Sequence, residues 1–404
     1  MNRFFVSLSS VLLLCGGVTT VKGQNPQVTG QDTTNRIPVT SLAFLNFAPD
    51  ARSAALGDAG VALSPDANAT YWNPAKLPYL KDDFGVSLSY TPWLRNLTDD
   101  MYFTYLSAYK KVAKGQVIAL QVNYFDLGQL EFRNQQGSLT GTFPSRELMA
   151  GLTYGRQLGE NFSLGLTLKY INSNLAGTGL VNGVSISPAQ TAAGDISAYY
   201  KKEYKNDEIG SSLTWSWGAM ISNLGGKVSY GSDDKYFIPT NFKLGTGISY
   251  TADGRNRFNF VLDANKLMVP TPPVYTMVNG VSTVTRGRDP KDLSLLGGIF
   301  GSFADAPDGF NEELKEVMIS TGVEYWYNDI FAARFGYFSE SRMKGDRKYF
   351  TVGFGARFQQ KYNVDFAYLL PQRQGSPLAQ TLRISLAANL KAKDRSEILE
   401  DMEN

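Results

Sequence analysis

Residues Phe350–Leu370 read FTVGFGARFQQKYNVDFAYLL, and this stretch decides the fold. Phe350, Val352, Phe354, Ala356 and Phe358 alternate with small or polar residues, a period of two that predicts a strand with one apolar face. Gln359-Gln360-Lys361 interrupts the pattern, and Val364, Phe366, Tyr368 and Leu370 resume it, as two arms of a hairpin do. Arg357 and Asp365 fall on the opposite face. Each arm has about the nine to eleven residues that a tilted strand needs to cross a membrane.

The same alternation recurs from Phe84 almost to the C-terminus. It is clearest in Phe84/Val86/Leu88/Tyr90, Phe162 to Tyr170, Leu213 to Ile221, Phe242 to Tyr250, Phe258 to Ala264, Val317 to Tyr325 and Leu382 to Leu390. Lys169, Asp195, Lys243, Asp263, Glu324, Arg334 and Arg383 also take the parity opposite to these apolar residues. A Lys or Arg facing lipid at the midplane costs about 2–4 kcal/mol, and the sequence avoids that cost. Arg156 is the exception, at a strand end where the interface is within reach. Tyr90, Trp93, Tyr154, Tyr170, Tyr250 and Tyr325 favour strand ends, as aromatic girdles do. A soluble sandwich also alternates, but its strands usually run about five or six residues.

Connections follow a second rhythm. Short turns at Lys111–Gly115, Leu158–Asn161, Lys205–Gly210, Thr251–Asn256, Asn328–Asp329 and Gln359–Lys361 alternate with long links. The long ones are Arg95–Asp100, Asn134–Arg146, Ser173–Ala193, Asn223–Thr240, Met268–Lys315, Ser339–Asp346 and Pro371–Ala379. The expectation is an all-β, transmembrane antiparallel barrel of about 14 strands with a short, partly helical N-terminal segment. The strand near Asp195–Tyr204 is inferred partly from parity.

Residues 1–23 read as a signal peptide, with basic Arg3, the apolar Val11-Leu12-Leu13-Leu14 core and cleavage after Gly23. Residues 24–81 would form a periplasmic, plug-like segment at the barrel foot, with a short helix around Ala54-Ala55-Leu56. Residues 82–391 would form the barrel, and 392–404 a charged periplasmic tail. Both termini are expected in the periplasm of a Gram-negative cell.

Composition excludes several function classes. The chain has no histidine, and its one cysteine, Cys15, lies in the expected signal peptide. The commonest general base and metal ligand are therefore missing, together with any disulfide framework. Removing Arg3 and Lys22 from 39 basic residues leaves 37 against 37 acidic ones, which argues against a nucleic-acid surface. Asp82/Asp83, Asp99/Asp100 and Asp233/Asp234 read as solvated turn residues. Asp305 with Asp308 offers oxygens to Ca²⁺, but Asp308-Gly309 reads better as a turn leading into a helix at Glu312–Glu316. Gly353-Phe354-Gly355 lacks the Lys-Ser/Thr of a phosphate loop and suits a crowded barrel wall. No catalytic constellation, metal site or cofactor is expected.

The long link Met268–Lys315 combines a stiff Val269–Pro273 stretch with apolar Leu295, Leu296, Ile299, Phe300 and Phe303. Two readings stay open. Either this run docks on a partner, as exposed apolar patches usually do, or it folds back onto its own barrel.

Asp50-Ala51-Arg52-Ser53-Ala54-Ala55-Leu56-Gly57-Asp58-Ala59-Gly60-Val61-Ala62 and Asn68-Ala69-Thr70-Tyr71-Trp72-Asn73-Pro74-Ala75 resemble the start of FadL-like barrels, where an Asn-Pro-Ala element leads into fourteen strands. Pro38–Leu45, Tyr90-Thr91-Pro92-Trp93-Leu94, Leu262–Leu267 with Val269–Pro273, Phe300–Pro307 and Glu312–Glu316 extend the likeness over most of the expected mature chain. They resemble the PorV family of the type IX protein secretion system of Bacteroidota. The resemblance implies a partner role in the outer membrane: association with a SprA-type translocon, receipt of cargo bearing C-terminal signal domains, and transfer to a PorU-like attachment complex among outer-membrane lipid. It carries over Asn73, Pro74 and Ala75 as a family motif but no cargo-binding residues. The wider superfamily suggests the alternative of a transporter of hydrophobic small molecules. A lipid hydrolase is the weakest reading, since no nucleophile is marked.

Overall fold

The computed structural model describes residues 35–95, 97–134, 136–181, 184–206, 210–278, 281–373 and 381–390. The expected signal peptide, the expected tail and link residues 374–380 lie outside them.

Alternation becomes a wall because each residue type finds its solvent. Leu168, Leu152, Phe260 and Phe354 stand exposed on the outside, while Ser107, Asn123, Thr153 and Glu324 are buried on the inside. The strands are Phe84–Pro92, Tyr102–Ala113, Gln116–Arg133, Leu139–Gln157, Phe162–Asn174, Ala189–Asn206 and Ser211–Gly225. They continue with Asn241–Thr251, Asn256–Leu267, Met318–Tyr327, Phe331–Ser339, Lys348–Phe358, Tyr362–Pro371 and Leu382–Leu390. Neighbours pair antiparallel, and the last strand closes on the first, with Phe84 opposite Leu390 and Tyr90 opposite Ile384. The result is a closed 14-strand barrel with no free edge, the form that satisfies every strand in lipid.

Three links differ from the sequence reading. Asn134–Arg146 is largely strand: pairing runs on to Arg133 opposite Leu139, across a register shift between Asp126 and Gln129. Gly128 sits there at φ 78°, and Gln129 N donates to Asp100 Oδ2 at 3.0 Å, so the bulge re-aims the hairpin beyond the rim. The link before Ala189 carries a small hairpin, Gly179–Val181 with Val184–Ile186. The link after Leu267 carries another, Val274–Val278 with Val281–Arg286, and then helix Leu295–Gly301.

Inside the barrel, Asp50 caps helix Ala51–Ala54 by accepting from Ser53 N at 2.9 Å, and its other oxygen accepts from Trp72 Nε1 at 2.6 Å. Wall glycines make room for this segment. A Cβ at Gly336 would overlap the backbone of Leu56 and Gly57, and one at Gly353 would overlap Ala55. Of the segment expected at the barrel foot, the described residues 35–81 run through the lumen between the two mouths. Arg36 N donates to Met343 O at 3.0 Å and Ser41 N to Phe237 O at 2.9 Å, both within long links. At the short-turn mouth, Asp83 N donates to Leu390 O at 3.1 Å and Lys111 Nζ to Lys81 O at 3.0 Å. Small wall residues leave a lumen wide enough for residues 35–81, which a local reading of Phe44–Leu63 cannot measure.

Candidate docking site and barrel lumen

Asn73-Pro74-Ala75 is a staple between segment and wall. Pro74 occupies the first turn of the 3₁₀ helix Pro74–Tyr79, where its missing N–H costs nothing. Asn73 Oδ1 accepts from Ala75 N at 3.1 Å, while Nδ2 donates to Val61 O at 3.0 Å and to Ala198 O at 3.1 Å. Ala75 N also donates to Ser197 Oγ at 3.1 Å. One amide thus caps a helix, fixes a neighbouring loop and grips a strand. Gly165 lets Pro74 and Ala75 approach the wall, since a Cβ there would lie 2.5 Å from Ala75 N.

The inward charges are held by partners from the segment or from adjacent strands. Arg52 donates to Glu324 through Nε at 3.0 Å and Nη2 at 2.8 Å, and to Asp66 at 2.8 Å. Glu324 also takes Arg334 Nε at 2.6 Å, and Arg334 reaches Asp365 at 2.7 Å. Asp263 Oδ2 accepts from Gly60 N at 2.6 Å and Val61 N at 2.8 Å. Lys169 pairs with Asp195 at 2.8 Å, and Asp58 accepts from Tyr349 Oη at 2.6 Å and Arg383 at 3.2 Å. A cavity of about 400 Å³ remains, bordered by Phe47, Trp72, Lys243, Asp263, Phe338 and Tyr349. The Lys243 ammonium lies 5.0 Å from the Tyr71 ring and 5.3 Å from that of Trp72.

The apolar run of the long link divides into two faces. Ser294 caps helix Leu295–Gly301 by accepting from Gly297 N at 3.1 Å. Ile299 is buried with Phe237, Met268 and Val269, and Leu295 packs beside them. Gly298 lies so close to Phe237 that a Cβ there would overlap its ring. Leu296 and Phe300, by contrast, are 64% and 60% exposed, and Phe303 is 44% exposed. Phe303 meets Phe242, which has the outward parity of its strand, edge-on at 6.2 Å between centroids. The run therefore folds back through Ile299 and offers Leu296, Phe300 and Phe303. The sequence placed the patch but treated as one surface what a single helical turn separates.

Beneath this helix, an ion network ties the link to the N-terminal segment. Arg36 donates to Glu312 through Nε and Nη2, each at 2.7 Å, and also pairs with Asp308. Lys344 bridges Glu312 at 2.7 Å and Glu316 at 2.6 Å, and Lys266 joins Glu313 at 3.0 Å. Burial pushes the Glu312 carboxyl up, but Arg36 and Lys344 outweigh it and hold the group at about 2. Asp305 accepts from Thr271 N at 3.1 Å, and burial raises it to about 6. Asp305 and Asp308 thus turn to different protein partners, Thr271 and Arg36. Arg36 was missed in the sequence because its partners lie more than 270 residues away.

The description of one family model, type IX secretion system protein PorV, fits residues 30–274 of this chain. No curated protein matches it. Among solved structures, it is similar to the toluene transporter TbuX of Ralstonia pickettii, with 12% identity, 85% of this chain and 99% of that one covered, and a TM-score of 0.47. It is also similar to the toluene transporter TodX of Pseudomonas putida, with 13% identity, coverage of 83% and 95%, and a TM-score of 0.42. For a FadL homologue of Pseudomonas aeruginosa the values are 10% identity, coverage of 88% and 99%, and 0.41. Because the family model spans more than half of the sequence, this chain belongs to the PorV family of the type IX secretion system.

Proposed function

We propose that this barrel binds the type IX translocon, receives cargo proteins through their C-terminal signal domains and passes them to the surface attachment complex. The observation that supports this reading is the helix Leu295–Gly301, anchored by Ile299 while Leu296, Phe300 and Phe303 stay uncovered. A rigidly held apolar row beside the outward-facing Phe242 suits a partner that approaches along the membrane plane. The partner in this reading is the SprA-type translocon, with cargo domains and a PorU-like complex following it. Small-molecule transport is a second reading, favoured by the cavity at Lys243. Against it, passage through the lumen requires parting the ion pairs from Arg52 to Asp365.

The test is co-purification from native outer membranes. Leu296→Ser with Phe300→Ser should abolish recovery of the translocon while the barrel folds normally. Unchanged recovery would overturn the docking reading, and stoichiometric lipid on a solitary barrel would favour transport.

A further inference from the structure

Among the described residues, every charge that borders the luminal cavity has a direct partner except one. Asp263 spends Oδ2 on the backbone amides of Gly60 and Val61, and Asp58 holds Tyr349 and Arg383. Glu340 accepts from Arg347 at 2.7 Å, and Lys344 serves Glu312 and Glu316. Lys243 is buried too, yet no described residue offers it a hydrogen bond or a carboxylate within ion-pairing distance. Its ammonium meets the rings of Tyr71 and Trp72, whose quadrupoles offset only part of the lost hydration of a buried cation. The site lacks an anion.

The rest of the lining selects which anion. Asn46 and Asn241 border the same cavity, and each keeps a buried amide oxygen with no donor among the described residues. A ligand with only an apolar tail would leave both oxygens unpaired, whereas backbone N–H groups would satisfy them. Phe47 and Phe338 add apolar faces for a side chain. Ile37 and Gly345 border the cavity at the long-link mouth, and its volume of about 400 Å³ suits a chain end rather than a domain.

We infer that this cavity binds the free C-terminal carboxylate of a peptide, with Lys243 as its counter-ion and Asn46 and Asn241 accepting from the backbone N–H groups behind it. A chain terminus is where a carboxylate adjoins backbone amides, which is the combination the lining leaves unmatched. The inference rests on the reading that the barrel receives cargo through a C-terminal domain, and it adds where the last residue of that domain is held.

The test titrates the purified full-length barrel in detergent micelles with N-acetylglycylphenylalanine, its C-terminal amide and decanoate, read by calorimetry and saturation-transfer NMR. The free acid should bind saturably and about tenfold more tightly than the amide, as a charge-assisted contact requires. Lys243→Met, which keeps an unbranched side chain over Tyr71 and Trp72, should erase that advantage. Equal affinity for acid and amide in the parent, or no binding of either, would overturn the inference whether or not the variant folds. An advantage that survives in folded Lys243→Met would do the same. Binding of decanoate without the peptide acid would assign Lys243 to a lipid carboxylate and also overturn it. The titration needs no translocon, so unchanged translocon recovery in the Leu296/Phe300 variant would end the docking reading and leave this result standing.

Discussion

Arg52 and Glu324, 272 positions apart in sequence, meet in a two-pronged ion pair inside the barrel, Nε to Oε2 at 3.0 Å and Nη2 to Oε1 at 2.8 Å. Glu324 also serves Arg334 and accepts from Asn259 Nδ2 at 2.8 Å. One carboxylate therefore joins the luminal segment to three strands of the wall.

Glu324→Gln leaves two buried guanidiniums sharing a neutral amide. Removing one partner from a buried pair costs about 3–5 kcal/mol, and because Arg52 keeps Asp66 and Arg334 keeps Asp365, the loss should fall at the lower end of that range. The urea midpoint of the barrel in detergent micelles should fall accordingly. Arg133→Ala, which removes an exposed pair with Glu131, should change stability by about 1 kcal/mol or less. Equal midpoints for the two variants would contradict this account.

Asn73 acts as donor and acceptor at once, so its replacements should rank in a particular order. Asn73→Ala loses the cap on Ala75 N and leaves the Val61 and Ala198 carbonyls short of a donor, a loss of about 1–3 kcal/mol. Asn73→Asp keeps the cap but sets a negative charge against both carbonyls, and should be the less stable of the two. Heat-modifiability on a denaturing gel reads that ranking, and the reverse order would refute the donor role.

Gly336→Ala puts a methyl group against the backbone of Leu56 and Gly57. Overpacking of this kind costs about 1–3 kcal/mol, since neither backbone segment can yield cheaply. Gly159→Ala, where a Cβ meets nothing within 4 Å, should leave thermal unfolding unchanged. A pair of identical melting curves would mean that the wall and segment are not in contact.

The Arg36 network fixes an acid limit for the long link. Glu312 is held at about 2, below its ordinary 4.5, so its contribution is complete above about pH 4.5 and is lost as pH falls through about 2. Asp305, raised to about 6, acts with the opposite sign: its contribution is complete below its ordinary 3.8 and lost as pH rises through about 6. In Arg36→Ala, Glu312 keeps only Lys344 and its backbone donor, and its titration should move upward. Limited pepsin digestion should then cut the link of the variant at a higher pH than the link of the parent. Coincident digestion profiles would show that Arg36 does not hold Glu312.

Period-two alternation is a local property, and it sufficed for the wall. Phe350 to Leu370 already carries the parity, the turn and the charge placement that the folded hairpin shows, with Arg357 bonded to Asn363 across it. Even the strand inferred from parity near Asp195 is present, as Ala189–Asn206. Links were less legible. Asn134–Arg146 has no strict alternation because its strands rise beyond the rim, where neither face must be apolar.

The sequence by itself determined a barrel of fourteen strands, which side chains face outward, and that one long link carries an apolar patch. Lipid accepts only apolar side chains on the outer parity, so the constraint is written into every strand separately. Only the tertiary structure decided that Ile299 turns inward while Leu296 and Phe300 do not, that Asn73 bridges Val61 and Ala198, and that Arg36 meets Glu312 at the long-link mouth. Those pairings depend on distances across a closed lumen, which exist only once the last strand has closed on the first.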